Sequence, residues 1–306
     1  MMNLRDLKYV IAVSETRHFG RAAERCFVSQ PTLSGQIKKL EEALGITLFE
    51  RTNRSVEITP IGQVIVDHAR QMMEQADAIE QLARAHQDPL AGPLRLGVIP
   101  TLSPYLIPLI LQPLKAHYPQ LQLVLFEELT DVLMTRLHHH EIDAALLATD
   151  EGEAGLVTMP LFDEPFWIAC GAAHVLSGRA EITRRDLARA DLLLLSEGHC
   201  LSQQAMEVCR IKERGGQGQM ADLRAASLET LLQLVEADLG CTLVPALAAN
   251  VFNARKRNVS LKPLRFPNAY RRISLVCRRT FPRQQALDAF ASIVVQHLPA
   301  DVEMLT

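Results

Sequence analysis

Cys200 and Cys209 are two of the six cysteines in this 306-residue chain, and they stand where thiol chemistry is easiest to run. The run LLLLSEGHCLSQQAMEVC reads as a buried strand, a turn through Glu197-Gly198-His199, and an amphipathic helix from Cys200 to near Cys209. A cysteine at a helix start feels the positive end of the dipole, and with a histidine beside it the thiolate is favoured. A thiolate attacks peroxide to give a sulfenic acid, which condenses with a second thiol. Spacing alone leaves other uses open, among them a zinc site formed by His199, Cys200 and Cys209. Nine residues of continuous helix would hold the two Cα atoms about 13 Å apart on opposite faces. A disulfide needs them within about 7 Å. If this pair oxidises, the helix between them must refold, and a bistable element is what a switch requires.

The other cysteines read differently. Cys170, Cys241 and Cys277 lie in apolar strand contexts and behave as small buried hydrophobes, while Cys26 packs inside a helical pair near the N-terminus. His138-His139-His140 is a tempting metal cluster, but adjacent helical residues point in different directions, so a solvated face is expected. No metal and no cofactor are expected.

A second set of residues suits nucleic acid. Between Arg17 and Leu44 two short helices are joined by a tight turn plugged by Val28, with Ala22 and Ala23 letting the backbones approach. Ser29 fits the N-cap of the second helix, and Pro31 lies in its first turn, where a missing N–H costs nothing. Leu33, Ile37, Leu40 and Leu44 form one buried stripe. Gln30, Pro31, Thr32, Ser34 and Lys38 lie outside it, with amide and hydroxyl groups for base edges and an amine for phosphate. Phe49 to Arg51 and Val56 to Ile58 then read as a hairpin wing, with Arg51 and Arg54 aimed at the sugar–phosphate backbone.

Composition limits the partners. The net charge is −3, so this is no general polycation, and residues 1–58 hold nine Lys and Arg against seven Asp and Glu. That balance fits a specific dimer better than a non-specific coating protein. No signal peptide is visible, because Arg5, Asp6 and Lys8 interrupt the first apolar stretch. No apolar run approaches the length of a membrane span, about 20 residues, so a cytoplasmic protein without membrane contact is expected. Six cysteines in such a chain are not a disulfide framework.

The elements that position these residues follow from periodicity. Thr59 caps and Pro60 opens a long helix reaching about Gln87. Ile61, Ile65, His68, Met72, Gln75, Ile79 and Leu82 alternate steps of four and three, a coiled-coil seam. Such a helix is too long to be buried on its own small domain, and pairing two chains is its expected use. A hinge follows at Asp88–Pro93. Beyond it, strand and helix alternate as Leu94–Ile99, Pro104–His117, Leu121–Phe126, Asp131–His139 and Ile142–Ala148. Later come strands at Leu192–Leu195, Cys241–Val244 and Arg272–Val276, and helices at Ser227–Asp238 and Gln284–His297. The alternation predicts an α/β fold with a mostly parallel sheet and helices on both faces. Thr101 and Thr130 follow the first two strands, at the carboxyl ends where ligands sit.

The N-terminal motifs, Asn3-Leu4-Arg5-Asp6-Leu7, AAERCFVSQPTLSGQIKKLEEALGITLFERT and ITPIG, resemble the LysR-type bacterial transcription regulators. SQPTLSGQI, GPLRLGVIPT, PLFDEPF, EGHCL with a second cysteine eight residues on, SLETL and TLVPALA resemble the peroxide-sensing members of that family. The resemblance implies a winged helix-turn-helix over 1–59, a linker and dimerisation helix over 60–88, and a periplasmic-binding-protein-like regulatory domain over 93–306. That domain would divide into one half of 93–163 with 269–306 and another of 164–268. The resemblance also implies that Cys200 is the peroxide-reactive thiol and Cys209 the resolving one. Thr101, Thr130 and His199 would shape a peroxide pocket, and Arg272 would help to hold the thiolate. Implied partners are double-stranded promoter DNA, hydrogen peroxide, RNA polymerase, cellular thiol systems for reduction, and three further copies in a homotetramer. One departure is visible: Ser202-Gln203 stand where some relatives carry a basic–acidic pair. Two readings compete, a LysR-type regulator binding an organic effector between its halves, and a thiol peroxidase with an accessory DNA-binding domain. A sensor needs one slow, reversible oxidation and no turnover, so no enzyme is expected.

Overall fold

A computed structural model describes residues 2–51, 56–149, 152–209, 224–254 and 258–304. The chain forms two compact units, Met1–His86 and Gln87–Thr306.

The first unit opens with α1 (Leu4–Thr16), whose Asn3 and Asp6 close a reciprocal capping box. α2 (Phe19–Arg25) is capped by the His18 imidazole, whose Nδ1 accepts from the amides of Gly20 and Arg21. The turn to α3 (Gln30–Leu44) takes Phe27 through φ 54° and leaves its ring exposed. Ser29 caps α3 and Pro31 lies in its first turn. Leu33, Ile37 and Leu40 are buried, but Leu44 is exposed, because α3 has outrun its partners by its last residue. Glu41 reaches out of α3 to accept from the amides of Leu48 and Phe49. It thereby fixes the start of the wing, β1 (Phe49–Arg51) paired antiparallel with β2 (Val56–Ile58). Arg54 lies outside the described residues, as does the side chain of Arg51.

Thr59 donates to the Thr47 carbonyl and accepts from the Gly62 amide, which starts α4 (Pro60–Gln87). The expectation that this helix leaves its own domain holds only in part. Val66 and Ala69 are buried, and Arg70 reaches Glu15 of α1 at 3.3 Å, so its first turns pack on the winged unit. Ile61, Met72 and Ile79 of the seam are exposed, Ile79 by 68%.

The second unit begins with β3 (Gly92–Val98), α5 (Ser103–His117), β4 (Leu121–Glu127), α6 (Thr130–His138) and β5 (Ala144–Leu147). β3 pairs parallel with both β4 and β5. Then comes β6 (Leu156–Gly171), sixteen residues long. After it follow α7 (Arg184–Leu187), β7 (Leu194–Leu195), α8 (Cys200–Cys209), β8 (Arg224–Ala225), α9 (Leu228–Glu236), β9 (Cys241–Pro245) and α10 (Ala246–Ala254). β10 (Val259–Pro263), β11 (Tyr270–Arg278), α11 (Gln284–Gln296) and β12 (Glu303–Met304) complete the described chain.

The sheet runs β10-β6-β11-β5-β3-β4, with β9 and β12 also on β6. It is mixed rather than mostly parallel, since β6 pairs antiparallel with β9, β10, β11 and β12, and β11 antiparallel with β5. The cause is β6 itself. It pairs with β11 up to Pro165 and with β9 and β10 from Phe166 onward, so one strand crosses between two groups of strands. The returning segment crosses beside it, where the Phe166 amide donates to Ala269. Phe162 and Phe166, on β6 around this crossing, and Phe290 of α11 are the largest side chains fully buried in the unit.

Candidate functional site: a buried thiol at a helix start

α8 folds back over β7. The return is made at Gly198, whose φ of 92° favours glycine, and a Cβ there would meet Leu129 at 2.9 Å. Ser202 ties the first turn of α8 to the Leu195 carbonyl at 2.7 Å. Cys200 is thereby held as the first residue of the helix, partly buried, and Cys209 as the last, fully buried. Both are free thiols.

Four groups act on the Cys200 thiol besides its burial. Burial pushes it above its ordinary value, while the Arg271 guanidinium, the Leu201 amide, the Thr130 hydroxyl and the Cys200 amide pull it back. Burial wins, so the expectation of a ready thiolate is corrected. The histidine does not help. Burial pushes the His199 imidazole below its usual value, against the pull of the Ala226 carbonyl, and a neutral ring lends no positive charge. Because the thiolate is the nucleophile, oxidation of Cys200 should accelerate about tenfold per unit between about pH 7 and pH 8. Stopped-flow peroxide kinetics across that range checks this, and a flat profile would mean that the thiolate is already formed.

The cation is the second correction. Arg272 pairs with Asp163 through two 2.8 Å contacts and is half exposed. Its neighbour Arg271 points to the other face of β11 and is buried. Arg271 donates from Nε to Glu164 at 2.8 Å, and its two terminal nitrogens donate to the Thr101 hydroxyl at 2.8 Å and the Thr101 carbonyl at 3.0 Å. Glu164 in turn accepts from the Leu247 amide at 2.9 Å. Thr101 therefore reaches the thiol through Arg271, whereas Thr130 acts on it directly. The Thr130 hydroxyl is buried, and beyond the Cys200 thiol it has no hydrogen-bond partner among the described residues. A buried hydroxyl in that condition calls for a small polar guest.

Cys209 is the opposite kind of thiol. Burial alone pushes it up to about 12. While α8 is intact its Cα lies about 13 Å from that of Cys200. Neither reach nor acidity lets it bond to Cys200 until the helix opens.

In the winged unit, Gln30, Pro31, Thr32 and Lys38 are exposed on one side of α3, and Ser34 is half-buried. Thr32 is partly engaged, sharing a 2.7 Å hydrogen bond with the Ser29 cap. Among the described residues no group of side chains could hold a metal ion, and no helix is long and apolar enough to cross a membrane. His138 pairs with Glu153 at 3.0 Å. His140 is half-buried rather than on a solvated face, its imidazole pushed down to about 3 by burial and by Arg278 and Arg95.

Comparison with known proteins agrees with both halves of this description. Residues 4–63 match the bacterial regulatory helix-turn-helix protein of the lysR family, and residues 87–299 match the LysR substrate binding domain. The hydrogen peroxide-inducible genes activator of Pectobacterium carotovorum subsp. carotovorum is 40% identical over 306 residues, the whole of both chains. The DNA-binding transcriptional dual regulator OxyR of Escherichia coli is 41% identical over 294 residues, 96% of this chain and 95% of that one. A cysteine-to-aspartate variant of full-length OxyR from Pseudomonas aeruginosa superposes with a TM-score of 0.78 at 37% identity, covering 96% of this chain and 95% of that one. A cysteine-to-serine variant of Corynebacterium glutamicum OxyR with hydrogen peroxide bound gives a TM-score of 0.64 at 34% identity, covering 96% and 92%. The chain belongs to the LysR family of bacterial helix-turn-helix transcription regulators and, within it, to the OxyR group.

Proposed function

We propose that this chain is a peroxide-responsive transcription regulator whose sensor is the Cys200–Cys209 pair and which switches oxidative-stress genes. The observation that carries this reading is the placing of Cys200. A thiol begins a helix between a buried guanidinium and a buried hydroxyl whose one partner among the described residues is the thiol itself, in a chain related over its full length to peroxide-inducible gene activators. Peroxide entering beside Thr130 is attacked by the Cys200 sulfur, leaving a sulfenic acid and water. The larger polar product no longer suits its surroundings, the first turn of α8 is expelled, and Cys200 is carried to Cys209, whose sulfur displaces the hydroxyl as a second water. The bond then holds the segment in a non-helical form. Trapping of a sulfenic acid on Cys200 in Cys209→Ser, and nowhere else at one equivalent of peroxide, tests the first step.

The helix-turn-helix is the DNA-binding element. Gln30, Pro31, Thr32 and Ser34 face base edges in the major groove, and Lys38, Arg51 and Arg54 face phosphates. Gln30→Ala or Ser34→Ala should weaken specific binding by about 1–3 kcal/mol, and Arg51→Ala should weaken all sequences and lower the salt slope by about one unit. Titrations of promoter and random DNA at several salt concentrations read both effects, and unchanged discrimination in both alanine variants would remove the assignment.

Assembly rests on α4, whose exposed Ile61, Met72 and Ile79 pair with the same helix of a second copy, while the regulatory units pair separately to give a homotetramer. Met72→Glu combined with Ile79→Glu places charge in that seam and should halve the assembly. Light scattering reads the mass, and a native mass with native DNA affinity would show that the interface lies elsewhere. RNA polymerase contact and reduction by cellular thiol systems complete the cycle.

A further inference from the structure

Cys170 and Cys241 are exact cross-strand partners in the β6–β9 ladder. The kind of pair they form follows from the neighbouring bonds. The Cys241 amide donates to the Asp191 carbonyl at 3.0 Å, and the Cys241 carbonyl accepts from the Leu193 amide at 2.7 Å. Both of its backbone groups therefore face away from β6, so Cys170 and Cys241 form a non-hydrogen-bonded pair. In such a pair the Cα atoms are about 4.5 Å apart and the side chains lie on the same face. That spacing is within the range of a disulfide, and both side chains are fully buried.

A third thiol lies near. The helix that starts beside Leu195 through Ser202 ends at a fully buried residue, and Leu192 and Leu193, just before Leu195, pair with Cys241. Cys209 is that residue, and it acts electrostatically on Cys241, as does Cys170. All three thiols are buried, and Cys241 is the one on which both of the others act.

We infer that Cys170 and Cys241 are a second dithiol couple, oxidised by exchange through Cys209. The inference rests on the reading of Cys200 and Cys209 as the peroxide-oxidised pair. In the first exchange the Cys241 sulfur, having lost its proton, attacks the Cys209 sulfur. The Cys200–Cys209 bond breaks, a Cys209–Cys241 bond forms, and Cys200 leaves and takes up a proton. In the second exchange deprotonated Cys170 attacks the Cys241 sulfur, the Cys170–Cys241 bond forms, and Cys209 leaves and takes up a proton. Two electrons pass from the inner pair to the outer one, and no oxidant is required beyond the peroxide that made the first bond. Burial pushes Cys241 up to about 12, so its thiolate is scarce and the relay runs more slowly than the sensing step. The consequence is functional. The sensor pair returns to its dithiol form with no external reductant, α8 can re-form, and the chain takes up a second equivalent of peroxide.

The test uses the full-length chain, reduced and then freed of reductant. One equivalent of hydrogen peroxide is added, samples are quenched in acid and alkylated unfolded at intervals, and disulfides are mapped by mass spectrometry. The expected course is a Cys200–Cys209 bond first, then its replacement by a Cys170–Cys241 bond as the Cys200 thiol reappears; a second equivalent of peroxide added at that point is consumed as well, bringing the total uptake to two equivalents. Cys209→Ser should form no Cys170–Cys241 bond at all. A Cys200–Cys209 bond that persists while Cys170 and Cys241 stay alkylated would overturn the second couple and leave the sensor reading intact. Formation of Cys170–Cys241 in Cys209→Ser at the parent rate would overturn the relay. A chain that never forms the Cys200–Cys209 bond would overturn the sensor reading, and the relay with it.

Discussion

Arg271→Ala should destabilise the regulatory unit by about 3–5 kcal/mol, because it strips a fully buried ion pair of one partner. Glu164 would remain without its guanidinium in a site where neither side chain is exposed, and the hydroxyl and carbonyl of Thr101 would lose their donors. The damage is wide because the pair joins β6, β11, the segment after β3 and the start of α10. Arg271→Met with Glu164→Leu should recover much of the loss, since both charges then leave together. The Leu247 amide would still lack its acceptor, at about 1–3 kcal/mol. Urea denaturation of the three proteins measures both numbers. A loss below about 1 kcal/mol in Arg271→Ala would show that the pair is relaxed by water, contrary to its burial. Arg271→Lys, which keeps a charge and loses the fork, should slow Cys200 oxidation more than Arg272→Ala does, because Arg271 is the cation that lowers the thiol.

Cys200→Ser should abolish the response to peroxide, and Cys209→Ser should abolish only its persistence. The asymmetry follows from the two environments. Cys200 has a guanidinium and two amides to stabilise its thiolate, whereas Cys209 has burial alone and is pushed up to about 12. A serine at 200 keeps the helix start and removes the nucleophile. A serine at 209 leaves the nucleophile and removes the trap, so the sulfenic acid forms and decays. Reporter expression after a peroxide pulse should be flat in the first variant and brief in the second. A lasting response in Cys209→Ser would mean that the sulfenic acid alone holds the active form.

Much of this architecture is legible in the residues. The wing at Phe49–Arg51 and Val56–Ile58, the Ser29 and Thr59 caps, and α8 between its two cysteines all follow from local patterns that tertiary packing does not overrule. β6 was hidden because Pro160 and Pro165 interrupt it, and proline argues against a strand interior. Its ladder tolerates them through a register shift opposite Ile273 and Ser274, and by passing from β11 to β9 and β10. Without that strand the mixed sheet cannot be inferred. Arg271 and Arg272 illustrate a different limit. Adjacent strand residues face opposite ways, and nothing in the pair itself says which face is the core. The antiparallel register settles it, setting Arg271 opposite Glu164 in the buried layer and Arg272 opposite Asp163 outside it. The state of Cys200 needed the fold as well, because a helix start and a histidine are visible in sequence while burial is not.

Sensing turns on one event, the bonding of Cys200 to Cys209 with the opening of α8 and a change in how the winged units hold DNA. DNase footprints of the full-length chain on promoter DNA, taken before and seconds after one equivalent of peroxide, with disulfides mapped in the same samples, test it directly. The predicted result is a dominant Cys200–Cys209 bond at the earliest time together with an altered footprint, both absent in Cys200→Ser. A different first bond, or a complete Cys200–Cys209 bond beneath an unchanged footprint, would contradict it.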